Sequence, residues 1–487
     1  MRVEELFAGI AVRYGSDSRR DTAGLEITDV TVSPETGGEN VLYVAVKTAL
    51  TDGGDGLGAA YARGCRLFLC AHDAFPGKDA VVLIADDPEA LLGELTARVL
   101  GHPARALTVF GITGTAGKTS VALLTEQTLR YAGFSVGSLT TDGFSIDGKT
   151  EPPAGVRAPN AADVQHALRR MADAGVEVAV LEFSSYQLLH RAAEAIPFTA
   201  VLLTDFSPRH IGPREHPDLA AYQAAKATLF ARDVPFIVLP VGLDFPHRAE
   251  RVLRFGAGGD FAAEERTPFL IRTLGCGTRF LLSSPEGKES VTLPVPGDIA
   301  VENALCAAAL ARIAGADLRE VASGLCAARV PGRLACVCAQ GERLIYIDAA
   351  FCAEDLETVL RTLRPLAEGR LSVLLGSVGG RAVSRRAALG RTAGDLADFV
   401  YLTADDPDTE DPVAICNAIR DGMREPDRSV ILPDRREAIL RAMREMRPGD
   451  LLLLAGKGSA DTQLIDGCRR PFSEREIVRE GLAELQW

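Results

Sequence analysis

The sequence predicts an α/β protein with more than one domain, built around parallel β-sheets. Its length points to several domains, because 487 residues are too many for one hydrophobic core. Short apolar runs typical of buried strands alternate with helical stretches along most of the chain, a pattern that favours parallel sheets with helices on both faces. One of these strands leads directly into a glycine-rich turn and a helix, the setting of many phosphate-binding sites.

Composition and charge argue against some classes of protein. Hydrophobic residues make up 47% of the chain and charged residues 24%, which is ordinary for a globular protein in water. The formal net charge of −13 argues against a general nucleic-acid or membrane-surface binder. No apolar run approaches the roughly 18 residues of a membrane span, the first residues lack an apolar signal core, and the ten cysteines are scattered. We therefore expect a cytoplasmic protein without a nucleic-acid or membrane partner.

Three successive regions are predicted. In residues 1–104, strands are predicted over 40–46, 66–70 and 81–85 and helices over 57–63 and 88–100, and a linker is predicted at 101–103. In residues 105–331, strands are predicted over 106–110, 177–182, 198–204 and 234–240, with a break at 330–333. In residues 332–487, strands are predicted over 343–348, 371–375, 399–403 and 451–455.

The segment 111–120 carries the clearest chemical signal. Its glycines allow backbone conformations that a Cβ would forbid, and the loop amides and the start of the next helix can face phosphates. Lys118 adds a positive charge, and the Thr119 hydroxyl is suited to Mg²⁺. The spacing departs from the pattern G-x-x-x-x-G-K-[ST], which requires a glycine where Ile112 stands. A glycine-rich turn without a ligand is the alternative interpretation.

Further residues are expected near this loop, because ligands of open α/β sheets bind beyond the carboxyl ends of the strands. Glu182 ends a strand and could bind Mg²⁺, and an exposed strand-end acid is the alternative. His210 and His216 flank a proline-containing loop, which by itself is weak evidence for a site. Lys226, considered alone, is an ordinary solvated lysine on a helix.

The third region contains two stretches that could bind an anion. Arg381, Arg385 and Arg386 follow a strand and could clamp a phosphate or carboxylate. The segment 456–459 follows the last strand and contains Lys457 between two glycines. A solvated surface is the alternative in both cases.

Taken together, these motifs resemble the Mur ligases, which add amino acids to UDP-N-acetylmuramic acid during peptidoglycan synthesis. The resemblance covers nearly the whole chain and is greatest for the branch that adds the third residue to a UDP-muramoyl dipeptide. Residues 113–119 are similar to the ATP loop of the family, residues 181–185 to its E-V-S-S segment, and residues 204–216 to its metal and substrate loop. Later landmarks are Asn303, Asp348 and the segments 330–333, 384–386, 405–407, 410–412, 434–439 and 456–458.

The resemblance implies a three-domain Mur ligase architecture, with an N-terminal UDP-binding-like domain (1–104), a central ATP-binding domain (105–331) and a Rossmann-like C-terminal domain (332–487). It implies a monomer that uses ATP and Mg²⁺ to join an amino acid to a UDP-muramoyl peptide through an acyl phosphate, forming ADP. The implied ATP contacts are Gly114, Thr115, Ala116, Gly117, Lys118, Thr119, Ser120, Asn303, Arg333 and Asp348. The implied metal ligands are Thr119, Glu182, His210 and a carbamylated Lys226, and the implied catalytic residues are Lys118, His210, Lys226, Arg333 and Arg381. The implied substrate contacts are Ser184, Ser185, Arg191, Arg385, Arg386, Asp405, Asp406, Gly456 and Lys457.

Several positions depart from the family pattern. The family motif D-Y-A-H is replaced by residues 348–351 (Asp-Ala-Ala-Phe), the uridine motif D-S-R by 33–35 (Ser-Pro-Glu), the threonine pair before Pro159 by Arg157 and Ala158, and the motif G-K-G-H-E by 456–460 (Gly-Lys-Gly-Ser-Ala). The arginine that marks diaminopimelate-adding members is Asp408, which favours L-lysine or another amine. Three alternatives therefore stay open: an ATP-binding paralogue without ligase activity, a ligase with a non-nucleotide substrate such as the folylpolyglutamate synthases use, and a simple nucleotide-dependent switch.

Overall fold

The protein is described from a computed structural model. The structure describes residues 1–487 except 17, 19, 20, 23, 47–53, 154–157, 209, 210, 213–215, 272–274, 381 and 382, and except the side chains of 270 and 271. The chain forms two compact units, the first made of Met1–Phe261 with Cys306–Asp317 and the second of Ala262–Leu305 with Leu318–Trp487. The predicted division into three domains stays a prediction. None of the helices in the described part of the chain is long and apolar enough to span a membrane.

The first unit begins with a five-stranded sheet in the order β1-β5-β4-β3-β2, in which only β1 is antiparallel to its neighbour. Its strands are β1 Arg13–Tyr14, β2 Asp29–Thr31, β3 Val41–Val44, β4 Leu67–Cys70 and β5 Val81–Ile84, and its helices are α1 Val3–Leu6, α2 Leu57–Ala62 and α3 Pro88–Val99. Every residue of β4 and β5 is buried, which explains their continuous apolar runs. The predicted strands and helices of this region are confirmed to within two residues.

The first unit continues with an eight-stranded sheet in the order β13-β12-β11-β6-β10-β7-β8-β9. Its strands are β6 Thr108–Thr113, β7 Val136–Thr140, β8 Gly143–Ile146, β9 Lys149–Glu151, β10 Val178–Glu182, β11 Ala200–Leu203, β12 Asp233–Pro240 and β13 Arg248–Phe255. Its helices are α4 Lys118–Tyr131, α5 Ala161–Asp173, α6 Ser185–Leu189 and α7 Leu219–Phe230. The strands from β13 to β7 are parallel, so the carboxyl ends of β11, β6 and β10 lie side by side.

The central strand differs from its prediction, which placed it at residues 106–110. A short 3-10 helix occupies Pro103–Ala106, and strand β6 runs from Thr108 to Thr113. The strand continues through Gly111, and the ring of Phe198 packs where a side chain would stand at this position, with Cε1 2.9 Å from the position of a Cβ. The extension moves the start of the phosphate loop to Gly114.

The second unit contains a three-stranded antiparallel sheet that was not predicted from the sequence. Strands β14 Ala262–Ile271, β15 Gly275–Ser284 and β16 Gly287–Leu293 follow one another, although strand–helix alternation was predicted as far as residue 331. That prediction is wrong for this stretch. The alternation of Val291 and Leu293 with polar residues in β16, and the turn before Gly287, are the signals of a hairpin in the sequence.

The second unit also contains a six-stranded sheet in the order β17-β18-β22-β19-β20-β21, parallel except for β17. Its strands are β17 Ala335–Gln340, β18 Arg343–Asp348, β19 Leu371–Leu375, β20 Phe399–Leu402, β21 Ser429–Ile431 and β22 Leu451–Ala455, and a hairpin of β23 Thr462–Ile465 and β24 Cys468–Pro471 follows. The helices are α8 Asp298–Ile313, which the boundary between the units divides, α9 Leu318–Ala327, α10 Ala353–Leu363, α11 Val383–Leu396, α12 Pro412–Arg420, α13 Arg435–Glu445 and α14 Glu474–Leu485. The four strands predicted in this region are confirmed to within one residue.

Candidate active site

A glycine-rich loop joins β6 to the start of α4. Gly114 has φ of +155° and Gly117 has φ of +80°, conformations that residues with a Cβ rarely adopt. A Cβ at Gly114 would also overlap the Thr204 hydroxyl. The predicted strand–loop–helix setting is therefore present, with the amides at the start of a 14-residue helix next to the loop.

Lys118 stands at the first position of α4 and folds back over the loop. Its Nζ donates to the carbonyl oxygens of Gly114 at 3.2 Å and Thr115 at 3.1 Å. Ser120, in the same helical turn, is half-buried. A lysine held in this way places positive charge directly at the loop.

The hydroxyl of Thr119 contacts the carboxylate of Glu182, the last residue of β10. It donates to Oε2 of Glu182 at 2.9 Å, and the amide of Thr141 donates to the same oxygen at 3.1 Å. Glu182 is buried, so the alternative of an exposed strand-end acid is wrong. Thr141 was not predicted, although it follows β7, another strand that ends at this edge.

Asp205 follows β11 and contacts the backbone of the glycine-rich loop. Its Oδ1 accepts from the amides of Thr115 at 2.7 Å and Ala116 at 2.8 Å. Thr204 and Asp205 lie beside the glycine loop because β11 pairs with β6 in parallel.

Lys226 is buried in α7, with an exposed fraction of 1%, so the interpretation as a solvated lysine is wrong. The helix turns Tyr222, Lys226 and Leu229 inward, and Nζ of Lys226 donates to the Gly114 carbonyl oxygen at 2.5 Å. Burial, and secondarily the charge of Lys118, lowers the pKa of Lys226 to about 6. The side chain is therefore largely uncharged at neutral pH.

One of the two predicted histidines, His216, contacts the segment that follows Glu182. Ser184 caps α6 by accepting from the Gln187 amide at 3.2 Å, and Oγ of Ser185 lies 2.9 Å from Nε2 of the buried His216. Arg191 instead pairs with Asp87 at 3.1 Å, at the start of α3. His210 lies outside the described residues.

In the second unit, the 330–333 junction packs on the loop after β22. A Cβ at Gly332 would overlap the backbone of Gly458 and Ser459, and a Cβ at Gly458 would lie 3.1 Å from Nη1 of Arg333. The buried Asp348 accepts from the amides of Leu334 at 2.7 Å and Ala350 at 2.8 Å. Burial raises the pKa of Asp348 to about 6, and the nearby Arg333 opposes this rise.

Two predicted cations of the second unit already have carboxylate partners. Nζ of the buried Lys457 lies 2.7 Å from Oδ1 of Asp406 and 3.7 Å from Oδ1 of Asp405. The Arg386 guanidinium binds both oxygens of Glu410, at 2.6 and 2.8 Å.

The remaining predicted residues of this unit are placed as follows. Asn303 is buried in α8, Arg385 is half-buried in α11, Gly456 follows β22 directly, and Arg381 lies outside the described residues. Burial raises the pKa of Asp405, while the cations of Arg435 and Lys457 oppose the rise.

The structure therefore places the predicted residues in two groups. One group, in the first unit, gathers Gly114–Ser120, Glu182, Ser185 and Lys226 at the carboxyl edge of the eight-stranded sheet. The other, in the second unit, gathers Arg333, Asp348, Asp405, Asp406 and Lys457 at the carboxyl edge of the six-stranded sheet. Within the described ranges, no three His, Cys, Asp or Glu side chains cluster as a ready metal site.

Comparisons with known proteins identify the family. The Mur ligase middle domain matches residues 112–311, and the Mur ligase glutamate ligase domain matches residues 332–458. A UDP-N-acetylmuramyl-tripeptide synthetase of Deinococcus radiodurans is 35% identical over 99% of this chain and 100% of its own length. A UDP-N-acetylmuramoyl-L-alanyl-D-glutamate–2,6-diaminopimelate ligase of Gloeobacter violaceus is 31% identical over 99% of this chain and 98% of its own.

Solved structures give the same result for the fold. A UDP-N-acetylmuramoyl-L-alanyl-D-glutamate–2,6-diaminopimelate ligase superposes with a TM-score of 0.66 at 25% identity, over 95% of this chain and 96% of the other. The MurF ligase of Thermotoga maritima, in complex with ADP, superposes with a TM-score of 0.60 at 17% identity, over 94% and 97% of the two chains. Because the phosphate loop lies inside the matched middle domain and full-length relatives share more than 30% identity, the chain belongs to the Mur ligase family.

Proposed function

We propose that this chain is an ATP-dependent, ADP-forming ligase that adds an amino acid to a UDP-N-acetylmuramoyl peptide in peptidoglycan synthesis. The observation that carries the proposal is the phosphate loop with Lys118 at its end, Thr119 against Glu182, and the buried Lys226 next to it. The names of the relatives supply the substrate class. Cytoplasmic location, a monomeric state and the absence of nucleic-acid and membrane partners stay predictions.

The proposed first step brings two anions together, because a substrate carboxylate attacks the γ-phosphate of ATP. The protein must align these groups and neutralise their charge. Lys118 is the residue proposed to neutralise the phosphates, since it starts α4 and its ammonium group lies over the loop carbonyls. The amine of the amino acid then displaces phosphate from the acyl phosphate.

The oxygen atoms of Thr119 and Glu182 suit Mg²⁺. Both side chains are buried, their oxygens lie 2.9 Å apart, and Mg²⁺ prefers hydroxyl and carboxylate oxygen ligands. We propose these two residues as Mg²⁺ ligands. When bound, the ion would supply further positive charge for the phosphates.

Lys226 is proposed to be carbamylated. Its pKa of about 6 leaves the amine unprotonated at neutral pH, so its lone pair can attack the carbon of CO₂ with loss of one N–H proton. The product is an anionic carbamate, which can bind a second Mg²⁺. His210 is kept as a predicted ligand.

The second unit is proposed to supply further contacts. Asn303, Arg333 and Asp348 are proposed for ATP, and Asp405, Asp406, Gly456 and Arg385 for the substrates. Arg386 and Lys457 are already paired with Glu410 and Asp406, so we propose that they act by holding the substrate loops in place.

An assay of phosphate release tests the proposal. The purified chain is mixed with ATP, Mg²⁺, UDP-muramoyl dipeptide and one amino acid from a panel that includes L-lysine and diaminopimelate, and the product is identified by mass. We expect phosphate release that requires both acceptor and amino acid, and a loss of at least about 100-fold in Lys118→Ala, because the phosphates lose their nearest fixed charge.

The matched control is Lys149→Ala, which removes an exposed lysine of β9 and should leave the rate unchanged. ATP binding without product for any acceptor would instead identify a paralogue without ligase activity. Equal rates for Lys118→Ala and wild type would contradict the proposed role of the loop.

A further inference from the structure

The crest of the phosphate loop, defined as Gly114, Thr115 and Ala116, is held by the segment that follows β11. The Asp205 carboxylate accepts from the Thr115 and Ala116 amides at 2.7 and 2.8 Å. The Thr204 hydroxyl donates to the Ala116 carbonyl oxygen at 2.5 Å. Two side chains from the segment after β11 therefore fix the peptide groups of the crest.

A second connection starts from the Thr115 hydroxyl. It accepts from the Ser207 amide at 3.0 Å and lies 3.0 Å from the Tyr222 hydroxyl. Tyr222 is fully buried, and its ring stacks on Phe206 with centroids 5.4 Å apart. The same ring faces Nζ of Lys226 at 4.8 Å, so the crest is also connected to the helix that carries this lysine.

These contacts matter because a phosphate loop binds through backbone amides whose directions depend on the loop conformation. The hydrogen bonds of Asp205 and Thr204 hold the peptide groups of the crest in one conformation before the nucleotide binds. A crest without them would have to become ordered when the nucleotide binds, and ordering lowers affinity. The hydrogen bonds of the Asp205 carboxylate go to the loop amides and to the neighbouring Thr204, so we expect Asp205 to act on ATP through the loop.

We infer that Asp205 is a positioning residue that preorganises the phosphate loop for ATP, and that the Tyr222 hydroxyl supports it. The inference rests on the proposed use of ATP. It requires a hydrogen-bond acceptor at position 205 rather than a negative charge, because every described group within hydrogen-bonding distance of Oδ1 is neutral: the Thr115 and Ala116 amides and the Thr204 hydroxyl.

Calorimetry with the non-hydrolysable analogue β,γ-imido-ATP and Mg²⁺ tests the inference on the full chain. We expect Asp205→Ala to raise the dissociation constant about tenfold or more, and Asp205→Asn, which keeps an acceptor oxygen, to stay within about threefold of wild type. Tyr222→Phe removes only the hydroxyl and should raise the constant about threefold. The control Asp73→Ala removes a carboxylate that also accepts from a backbone amide, that of Ser16, and should change nothing.

The outcomes separate this inference from the proposed function. Absence of binding by wild type would contradict the proposed use of ATP. If wild type binds and Asp205→Ala has an unchanged or lower dissociation constant, the inference is overturned. It is also overturned if Asp205→Asn binds as weakly as Asp205→Ala, since the negative charge would then be the requirement. If Asp205→Ala does not fold, the dissociation constant of Tyr222→Phe is the test. A value equal to that of wild type overturns the inference.

Discussion

At the scale of single residues, burial determines the chemistry of Lys226. A lysine on a helix of small residues would ordinarily be solvated and charged, but α7 turns this one inward beneath the phosphate loop. Burying an ammonium group disfavours its charged form, and the nearby Lys118 adds to the effect. The protein therefore keeps an amine of low pKa at a cost in stability.

Lys226→Met is expected to make the protein more stable while abolishing ligase activity. In the unfolded chain the lysine keeps its ordinary pKa of 10.5, so between pH 6 and 10.5 the unfolded state binds more protons and the stability of wild type rises with pH. The advantage of Lys226→Met should be largest near pH 6 and disappear towards pH 10. Urea unfolding at several pH values measures it, with Lys149→Met as control, and a variant less stable than wild type at pH 6 would contradict the prediction.

At the scale of elements, loops after neighbouring strands of the second unit are held together by ion pairs. Glu410, in the loop after β20, binds Arg386 of α11 and accepts from the Gly380 amide at 2.8 Å. The Arg386 side chain is almost fully buried, with 3% exposed. The pair therefore joins the loop before α11 to the loop before α12, where the predicted substrate residues lie.

Glu410→Gln is expected to destabilise the protein by about 1–2 kcal/mol at pH 7, because it leaves a buried guanidinium without its anion. The Arg386 guanidinium lowers the pKa of Glu410 from 4.5 to about 2. The pair therefore contributes stability above pH 4.5 and loses it as the pH falls towards 2. Urea unfolding should show the difference between variant and wild type at pH 7 and a smaller one at pH 3.5. Glu425→Gln, which removes an exposed ion pair with Arg428, is the control, and equal effects of the two substitutions would contradict the prediction.

At the scale of the whole molecule, contacts between polar side chains join the two sheets of the first unit. His166 of α5 lies 2.6 Å from Asp29 of β2, and its other ring nitrogen lies 2.8 Å from the Ala162 carbonyl oxygen. Both nitrogens face acceptors, so the contact favours the protonated ring. A second contact joins His190 to Glu89 at 2.9 Å, and an ion pair between Arg191 and Asp87 lies next to it.

The contact between His166 and Asp29, which connects the two sheets, is expected to weaken as the pH rises. The hydrogen bond to Asp29 raises the pKa of His166 above 6.5, so the contact is fully stabilising below pH 6.5 and is lost as the pH rises through the higher value of the folded state. The difference in melting temperature between wild type and His166→Gln should therefore shrink from pH 6 to pH 8.5. The exposed His72→Gln serves as control, and a difference that grows with pH would refute the assignment.

Much of the fold could be predicted from local patterns. Strands such as 343–348, 371–375 and 451–455 are buried on both faces and are mostly apolar in sequence, so their bounds can be predicted correctly. The antiparallel sheet 262–293 is harder to predict, because its strands are longer and much of β16 is exposed, so they lack the short apolar runs of the parallel strands. Strand β6 runs further than predicted because Gly111 belongs to the strand and not to the loop, and the Phe198 ring occupies the space of a side chain there.

The sequence by itself determined the phosphate loop and the family, because glycines, Lys118 and Thr119 form a local motif and many such motifs occur in one order. Only the tertiary structure decided that Lys226 is buried and uncharged at neutral pH, that Arg386 and Lys457 are already paired, and that Asp205 holds the loop crest. The physical reason is that pKa values and hydrogen-bond partners depend on groups from distant parts of the chain. Their approach is set by packing, which the local sequence does not encode.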